Sequence, residues 1–237
     1  MTKVSPGVLW LIPTLLGPSD PAAVLPEGVL ARARTLRYFL AEEPKSARAF
    51  LKAIGHPEPL ASLRIERLRD HAKDTESLLA PVRDGMDAGL LSEAGCPAVA
   101  DPGADLVRLA HAAGLRVVPL AGPSSLLLAL MASGLEGQRF AFHGYLPVKD
   151  AERARAIRDL EQRSRAARET QIFIETPYRN DAMMRALLSV CRPDTRLCVA
   201  TDLTLQSETV TTRRIDAWRD AVPDLNRRPS VFLVLAG

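Results

Sequence analysis

Short apolar runs alternate with amphipathic stretches along the first half of the chain. The apolar runs predict buried strands at residues 8–12, 38–40, 89–92 and 115–120. The stretches between them repeat apolar residues at helical spacing, which predicts helices at residues 27–35, 44–54, 75–86 and 104–113. Strands separated by helices pair in parallel, because a parallel strand is reached only by a crossover connection. The pattern therefore predicts an α/β domain with an open parallel sheet.

The second half follows a different pattern. Residues 144–148 combine glycine and proline without a helical period, which predicts a linker or an extended crossing segment. Beyond it the periodicity predicts helices at residues 151–167, 181–191 and 216–221 and strands at residues 171–175, 197–201, 208–212 and 231–235. The strand at 208–212 follows a polar turn and is typical of a hairpin arm, so the second sheet is predicted to be mixed.

We accordingly predict two α/β domains, residues 1–120 and residues 121–237, with the segment around 143–149 as the alternative boundary. With 237 residues, 47% of them hydrophobic and 25% charged, the composition is typical of a globular protein. The longest apolar stretches are far shorter than the roughly 20 residues that cross a bilayer. The amino terminus also lacks the pattern of a secretory signal. We expect a cytoplasmic protein with no membrane partner.

Cysteine and histidine spacing predicts neither a disulfide framework nor a metal site. The residues are scattered without paired spacing: Cys96, Cys191, Cys198, His56, His71, His111 and His143. The formal net charge is +3, and only five of the 31 basic residues are lysines. Arginine suits phosphate recognition because its planar fork donates two parallel hydrogen bonds, but a bias in genome base composition also produces arginine.

Two loops that follow predicted strands carry candidate chemistry, since ligands of open parallel sheets bind beyond the carboxyl ends of the strands. Residues 92–103 combine small residues with Glu93 and Asp101, although Asp101 alternatively caps the next helix. Residues 117–125 deliver the hydroxyls of Ser124 and Ser125 to a helix amino terminus, which suits a carboxylate or sugar hydroxyl; alternatively Ser124 is only an N-cap.

A third loop, residues 175–179, places Tyr178 beside Arg179, which suits either stacking on adenine or another base, or a plain surface pair. The loop after the first strand is neither a G-x-G-x-x-G nor a Walker sequence, and the chain has no G-x-S-x-G. Standard dinucleotide enzymes, phosphate-loop NTPases and the usual α/β-hydrolases are therefore disfavoured.

Taken in order, these loops resemble the tetrapyrrole methylase superfamily of S-adenosylmethionine-dependent methyltransferases. The resemblance is strongest to the branch of bacterial ribosomal RNA cytidine 2′-O-methyltransferases. That branch has the motifs S-D-A-G-x-P-x-x-x-D-P-G, V-V-P-x-x-G-P-S, G-[FY]-L-P-x-K, E-[ST]-P-[HY]-R and an E-L-T-like turn. This chain supplies them at residues 92–103, 117–124, 144–149, 175–179 and 202–204. Glu93 stands where the branch has aspartate, and Leu205 stands where it has lysine.

The resemblance implies two α/β domains, a parallel-sheet amino-terminal one and a mixed-sheet carboxyl-terminal one, with the cofactor S-adenosylmethionine in the interdomain cleft of a homodimer. Carried over by position, the cofactor-binding residues are Pro13, Ser92, Glu93, Ala94, Gly95, Val99, Ser124, Ser125 and Tyr178. If the methyl acceptor is a hydroxyl, a base is needed, and the candidates are Asp101, then Glu93 and Glu175.

The leading hypothesis is methylation of the ribose 2′-hydroxyl of ribosomal RNA. One alternative is the same chemistry on a tetrapyrrole or another small-molecule substrate. The other is a binding protein that keeps the fold and cofactor without turnover. Its motivation is the missing lysine and the first loop, which reads T-L-L-G-P at residues 14–18 where the branch has T-P-I-G-N.

Overall fold

The computed structural model describes residues 5–68 and 76–237. The chain forms two compact units, Met1–Ser124 and Ser125–Gly237. Among the described residues, no helix is long and apolar enough to cross a membrane. The same residues contain no group of three or more His, Cys, Asp or Glu side chains placed to hold a metal ion. His71 lies outside the described residues.

The first unit is built on a five-stranded sheet in which every pair is parallel, which confirms the predicted parallel sheet. The strand order is β3-β2-β4-β1-β5. The strands are β1 (Val8–Ile12), β2 (Tyr38–Ala41), β3 (Arg64–Arg67), β4 (Ala88–Leu91) and β5 (Arg116–Pro119). The helices are α1 (Pro21–Val24), α2 (Glu27–Thr35), α3 (Pro44–Ala53), α4 (Ala80–Arg83) and α5 (Ala104–Ala112).

Both faces of this sheet are covered, and β2 shows why its sequence is apolar throughout. Successive side chains of a strand point to opposite faces. Phe39 and Ala41 belong to one core cluster with helices α2 and α3, whereas Tyr38 and Leu40 belong to the cluster on the other face. All four residues of β2 are buried. A continuous apolar run is therefore what a central strand of this sheet requires.

Two predictions for this unit need correction. The helix predicted at 75–86 begins at Thr75, which lies outside the described residues, and the described part is interrupted: residues 76–77 are helical, and the helix resumes only for the single turn α4. A turn at Leu78 and Leu79 precedes it, and Gly85 follows with a positive φ of 98°. The periodicity of the sequence also missed β3, because this edge strand is charged and exposed and gains its conformation from pairing with β2.

The second unit carries a mixed sheet in the order β6-β7-β10-β8-β9, as predicted. Only β6 and β7 pair in parallel, and the other neighbours are antiparallel. Its strands are β6 (Phe140–Tyr145), β7 (Thr170–Ile174), β8 (Arg196–Thr201), β9 (Thr209–Arg214) and β10 (Ser230–Leu235). Its helices are α6 (Ser125–Ser133), α7 (Asp150–Ala167), α8 (Asn180–Val190) and α9 (Ile215–Trp218), and a 3₁₀ turn spans Pro177–Arg179.

The segment predicted as a linker or an extended crossing segment begins inside a strand. Gly144 and Tyr145 belong to β6, the edge strand that pairs with β7. The register shifts between Phe142 and Tyr145, and Gly144 has a φ of 64° there. Glycine at such a bulge adopts the left-handed region without a steric penalty. The glycine that suggested a linker thus marks an irregular strand.

The core of the second unit lies between the sheet and helices α7 and α8. Phe173 on β7 and Phe232 on β10 stack with ring centroids 5.7 Å apart. The indole N–H of Trp218 donates to the Leu197 carbonyl at 2.8 Å, which satisfies a buried donor. This packing fixes the strand ends from which the loops of the second unit emerge.

Candidate active site

The ends of β2 and β4 form the topological switch point of the parallel sheet. The chain leaves β2 toward one edge of the sheet, to β3, and leaves β4 toward the other edge, to β5. In open α/β sheets, ligands bind outside the carboxyl ends of the strands at such a point. The residues that follow β2 and β4 are Glu42 and Ser92, so these two positions mark the centre of the candidate site.

Hydrogen bonds hold the loops after β1, β4 and β5 together. The Thr14 amide donates to the Gly95 carbonyl at 2.9 Å, and the Thr14 hydroxyl donates to the Ser92 carbonyl at 3.3 Å. The Cys96 thiol donates to the Pro123 carbonyl at 3.5 Å. Three chain segments that are distant in sequence therefore form one continuous surface at the carboxyl edge of the sheet.

Two glycines allow these loops to approach closely. A Cβ atom at Gly122 would lie 2.3 Å from the Cβ of Pro13, a distance that no side chain tolerates. Gly95 has a φ of 73°, in the left-handed region that favours glycine. Because these two positions carry no side chain, the loops pack closely and a ligand can approach their backbone.

A cluster of carboxyl groups lies beside this surface. Burial, helped by the charges of Glu42 and Glu93, raises the pKa of Asp101 to about 6, while a hydrogen bond with the Ser92 hydroxyl opposes the rise. Burial and the charge of Glu93 also raise the pKa of Glu42. The Oε2 atom of Glu42 is buried without a hydrogen-bond partner among the described residues. With its pKa raised to about 6, the Asp101 carboxyl group is suited to accept a proton near neutral pH.

Sequence reasoning missed Glu42. The signal was present, because Glu42 directly follows a buried strand of a parallel sheet, where ligand-binding side chains are expected. The next residue, Glu43, has a different role: it caps α3 by accepting from the Lys45 amide at 3.2 Å. The sequence alone does not reveal which of the two adjacent glutamates faces Asp101.

The first unit contains most of the predicted site residues. Pro13, Ser92, Glu93, Ala94, Gly95 and Ser124 belong to the joined loops. Val99 is 48% exposed on a turn between Ala98 and Ala100, both of which have positive φ. Within the described residues, neither the Ser124 nor the Ser125 hydroxyl makes a hydrogen bond, so the alternative of a side-chain cap at Ser124 is not realised.

The remaining predicted residues, Ser125, Glu175 and Tyr178, lie in the second unit. Glu175 follows β7 and is almost completely buried. Its Oε1 atom accepts from the Thr176 amide at 2.6 Å and from Arg179 Nε at 3.0 Å. An acceptor that is engaged in this way orders the 175–179 loop.

Comparison with known proteins agrees with this architecture. The sequence pattern of the tetrapyrrole (corrin/porphyrin) methylases matches residues 16–217. The chain belongs to the tetrapyrrole methylase family.

Among its relatives is the ribosomal RNA small subunit methyltransferase I of Xylella fastidiosa strain Temecula1, which is 32% identical over 98% of this chain and 81% of the relative. The protein of the same name from Escherichia coli O157:H7 is 32% identical over 87% of this chain and 68% of the relative. This tetrapyrrole methylase therefore lies in the branch of those proteins, and it is a methyltransferase.

The fold is shared with the methyltransferase CobJ, whose crystal structure superposes with a TM-score of 0.64 at 20% identity. The superposition covers 98% of this chain and 95% of the other. The predicted pair of α/β folds, with a parallel and a mixed sheet, is thus confirmed.

Proposed function

We propose that this methyltransferase transfers a methyl group from S-adenosylmethionine to a ribose 2′-hydroxyl of ribosomal RNA. The observation that carries the proposal is the similarity of nearly the whole chain to relatives named ribosomal RNA small subunit methyltransferase I. Ribosomal RNA is proposed as the partner, in the cytoplasm where ribosomal subunits are modified. A homodimer is proposed from the family resemblance.

The joined loops of the first unit suit the proposed cofactor. An amino-acid end, ribose hydroxyls and a flat base need backbone donors, small residues and free hydroxyls. Gly95 and Gly122 provide the close approach, and Ser124 offers a hydroxyl that no group among residues 5–68 and 76–237 engages. We propose that Pro13, Ser92, Glu93, Ala94, Gly95, Val99, Ser124 and Ser125 hold the cofactor, which supplies an electrophilic methyl group when bound.

Asp101 is the proposed catalytic base. A ribose hydroxyl attacks well only as it loses its proton, so the base must be ionised yet basic. A carboxyl group with its pKa raised to about 6 meets both needs near neutral pH. With the cofactor bound, the ribose oxygen would form its bond to the methyl carbon as the S–CH3 bond breaks and S-adenosylhomocysteine leaves, while the ribose proton would pass to the Asp101 carboxylate. Glu93 and Glu42 supply the negative charge that keeps Asp101 basic.

The experiment combines binding and transfer. Calorimetric titration with S-adenosylmethionine and S-adenosylhomocysteine tests the cofactor, and absence of binding at millimolar ligand would contradict the proposal. Methyl-labelled cofactor is then incubated with small ribosomal subunits from a strain lacking the equivalent enzyme. We expect label in a 2′-O-methyl nucleoside with wild-type protein and none with Asp101→Asn. Cofactor binding without label in RNA would favour a small-molecule substrate or a protein without turnover.

A further inference from the structure

Two loops of the second unit are fastened together at the edge where β7 and β8 end and β10 begins. The Arg227 amide donates to the Pro177 carbonyl at 3.0 Å. Asn180 Nδ2 donates to the Arg228 carbonyl at 2.6 Å, and the Leu225 amide donates to Asp181 Oδ1 at 3.0 Å. Asn180 is wholly buried. Residues 175–181 and 225–229 therefore form one rigid frame.

Two of the three arginines of this frame form ion pairs, one within the frame and one with Asp202. Arg228 donates to Asp202 Oδ2 at 2.9 Å and to the Ser207 carbonyl at 2.8 Å. Arg179 is engaged by the buried Glu175 carboxylate. The guanidinium groups of Arg179 and Arg228 are thus used in holding the loops, which leaves Arg227 as the third.

Two side chains project from the frame, and neither makes a side-chain hydrogen bond or an ion pair with the described residues. Tyr178 is 75% exposed, although it sits in a 3₁₀ turn that hydrogen bonds hold in place. Arg227 makes no ion pair among the described residues, and its guanidinium carbon lies 5.8 Å from the Tyr178 ring centroid. That distance is close to the outer limit of about 6 Å for a cation–π contact. The arginine is therefore beside the ring and not locked against it.

The backbone conformation of Arg227 is also unusual. Arg227 has a φ of 59°, in the left-handed region that L-residues other than asparagine and aspartate seldom adopt. An ordinary surface turn would place glycine or asparagine there. Here the hydrogen bond to Pro177 holds an arginine in this conformation next to an exposed aromatic ring. Conformational strain of this kind is retained where the surroundings enforce it, often at functional positions.

An exposed ring beside an unpaired guanidinium matches the chemistry of an unpaired nucleotide. Bases of single-stranded RNA stack on tyrosine rings, and arginine binds the adjoining phosphate. S-adenosylmethionine fits this pair less well, because its sulfonium is positively charged and it contains no phosphate for Arg227. An RNA nucleotide therefore suits the pair better than the cofactor to which the family resemblance assigns Tyr178.

We propose that Tyr178 and Arg227 form a stacking platform for one unpaired nucleotide of the RNA substrate, with its base on the tyrosine ring and its phosphate at the guanidinium. The proposal rests on the proposed function and names the residues that would hold the RNA. Pre-organisation of the two side chains by the frame reduces the conformational entropy lost on binding.

The test measures RNA binding and cofactor binding separately. Fluorescence anisotropy reports binding of a labelled single-stranded oligoribonucleotide of about ten nucleotides, a length within the usual range for such sites. Calorimetry reports binding of S-adenosylhomocysteine. The variants are Tyr178→Ala, Tyr178→Phe, Arg227→Ala and Arg227→Lys. Matched controls are Phe140→Ala, an exposed aromatic residue at the start of β6, and Arg158→Ala, an exposed arginine without an ion pair.

We expect Tyr178→Ala to weaken RNA binding about tenfold, whereas Tyr178→Phe retains the stacking face and binds as the wild type does. Arg227→Ala should lower the slope of log affinity against log salt by about 0.7, the value for one lost phosphate contact with a single strand. Arg227→Lys should retain that slope. Cofactor affinity should be unchanged in all four variants, and both controls should bind RNA normally.

Three outcomes would overturn the platform. Weaker cofactor binding by Tyr178→Ala, with RNA binding unchanged, would return Tyr178 to the cofactor pocket. If the variants at Tyr178 and Arg227 bind RNA as the wild type does, the platform is refuted and the proposed function stands. If the wild type binds no RNA and transfers no methyl group to ribosomal subunits, the proposed function fails together with the platform.

Discussion

Asp101 illustrates how one residue acquires a property that its type does not have. An exposed aspartate has a pKa of 3.8, and the structure raises that of Asp101 to about 6 through burial and two neighbouring carboxylates. The partly compensating hydrogen bond comes from Ser92. The same interactions that make the carboxylate basic also make it unfavourable for the fold, so activity and stability are expected to oppose each other here.

Replacing Asp101 by asparagine should stabilise the protein at pH 8 while lowering the methyl-transfer rate by about 10² or more. In the folded wild type the ionised carboxylate is unfavourable, and this destabilisation is fully present above pH 6. It disappears below the ordinary pKa of 3.8, where the group is protonated in both states. The expected gain at pH 8 is of order 1 kcal/mol after allowance for partial exposure. Urea unfolding at pH 8 and pH 4 measures it, and equal gains at both values would contradict the assignment.

Glu42 should control the pH at which the enzyme becomes active. The ratio kcat/KM of the wild type is expected to rise with pH through about 6, as Asp101 ionises. Glu42→Gln removes a neighbouring negative charge, so the midpoint of this rise should move to lower pH. Glu43→Gln removes the same charge from the next residue, which instead caps α3 and pairs with Arg67. An identical pH profile for wild type and Glu42→Gln would show that Glu42 does not act on the base.

At the scale of elements, glycines decide how closely loops and strands approach. Gly122→Ala should destabilise the protein by about 1–3 kcal/mol, because its Cβ would meet the rigid Pro13 ring at 2.3 Å and force the loops apart. Gly28→Ala is the matched control on helix α2, where no atom lies within 4 Å. It should stabilise the helix by up to about 1 kcal/mol. Thermal unfolding measures both, and a tolerated Gly122→Ala would mean that the loops are not closely packed.

Helix α7 is fastened to the segment that follows α8 by one buried carboxylate. Glu161 accepts from the Arg192 amide at 2.8 Å and from the Thr195 hydroxyl. Glu161→Leu should cost about 2–4 kcal/mol, since it leaves the buried Thr195 hydroxyl and the partly buried Arg192 amide unpaired, whereas Glu161→Gln keeps a carbonyl acceptor and should cost less than half as much. Chemical denaturation separates the two variants. Equal losses would indicate that the charge matters and not the hydrogen bonds.

At the scale of the whole molecule, the net excess of positive charge lies in one unit. Residues 1–124 contain 14 basic and 14 acidic side chains, and residues 125–237 contain 17 and 14. The unit with the parallel sheet is thus neutral and carries most of the proposed cofactor residues. The unit with the mixed sheet is basic and carries Tyr178 and Arg227. This division agrees with separate roles in binding the cofactor and the RNA.

Cofactor binding should stabilise the whole chain. A ligand that binds only the folded state at 100 times its Kd adds about 2.7 kcal/mol, so S-adenosylhomocysteine should raise the Tm of the wild type by several degrees. Gly95→Val should abolish that increase by filling the space of the close approach. Gly114→Val is the control, because Gly114 has a similar φ of 68° but open space around it. Differential scanning calorimetry with and without ligand provides the measurement; loss of the increase in both variants would point to strain alone.

The sequence by itself determined the central strands, the helices between them and the loops that follow β4, β5 and β7. These features depend on local periodicity and on backbone preferences, which neighbouring residues specify. The sequence pattern did not predict the strands β3 and β6, because an exposed edge strand depends on its partner strand and not on burial of its own side chains.

Only the tertiary structure decided which charged groups act together. Glu42 joins Asp101 because β2 and β4 are neighbours in the sheet, and Arg227 joins Tyr178 because β10 starts where β7 ends. Such pairings come from strand order, which the alternation of helices and strands leaves open. The sequence therefore predicted the residue types and the sheet edge on which they lie. Their partners and the resulting pKa values depend on the tertiary structure.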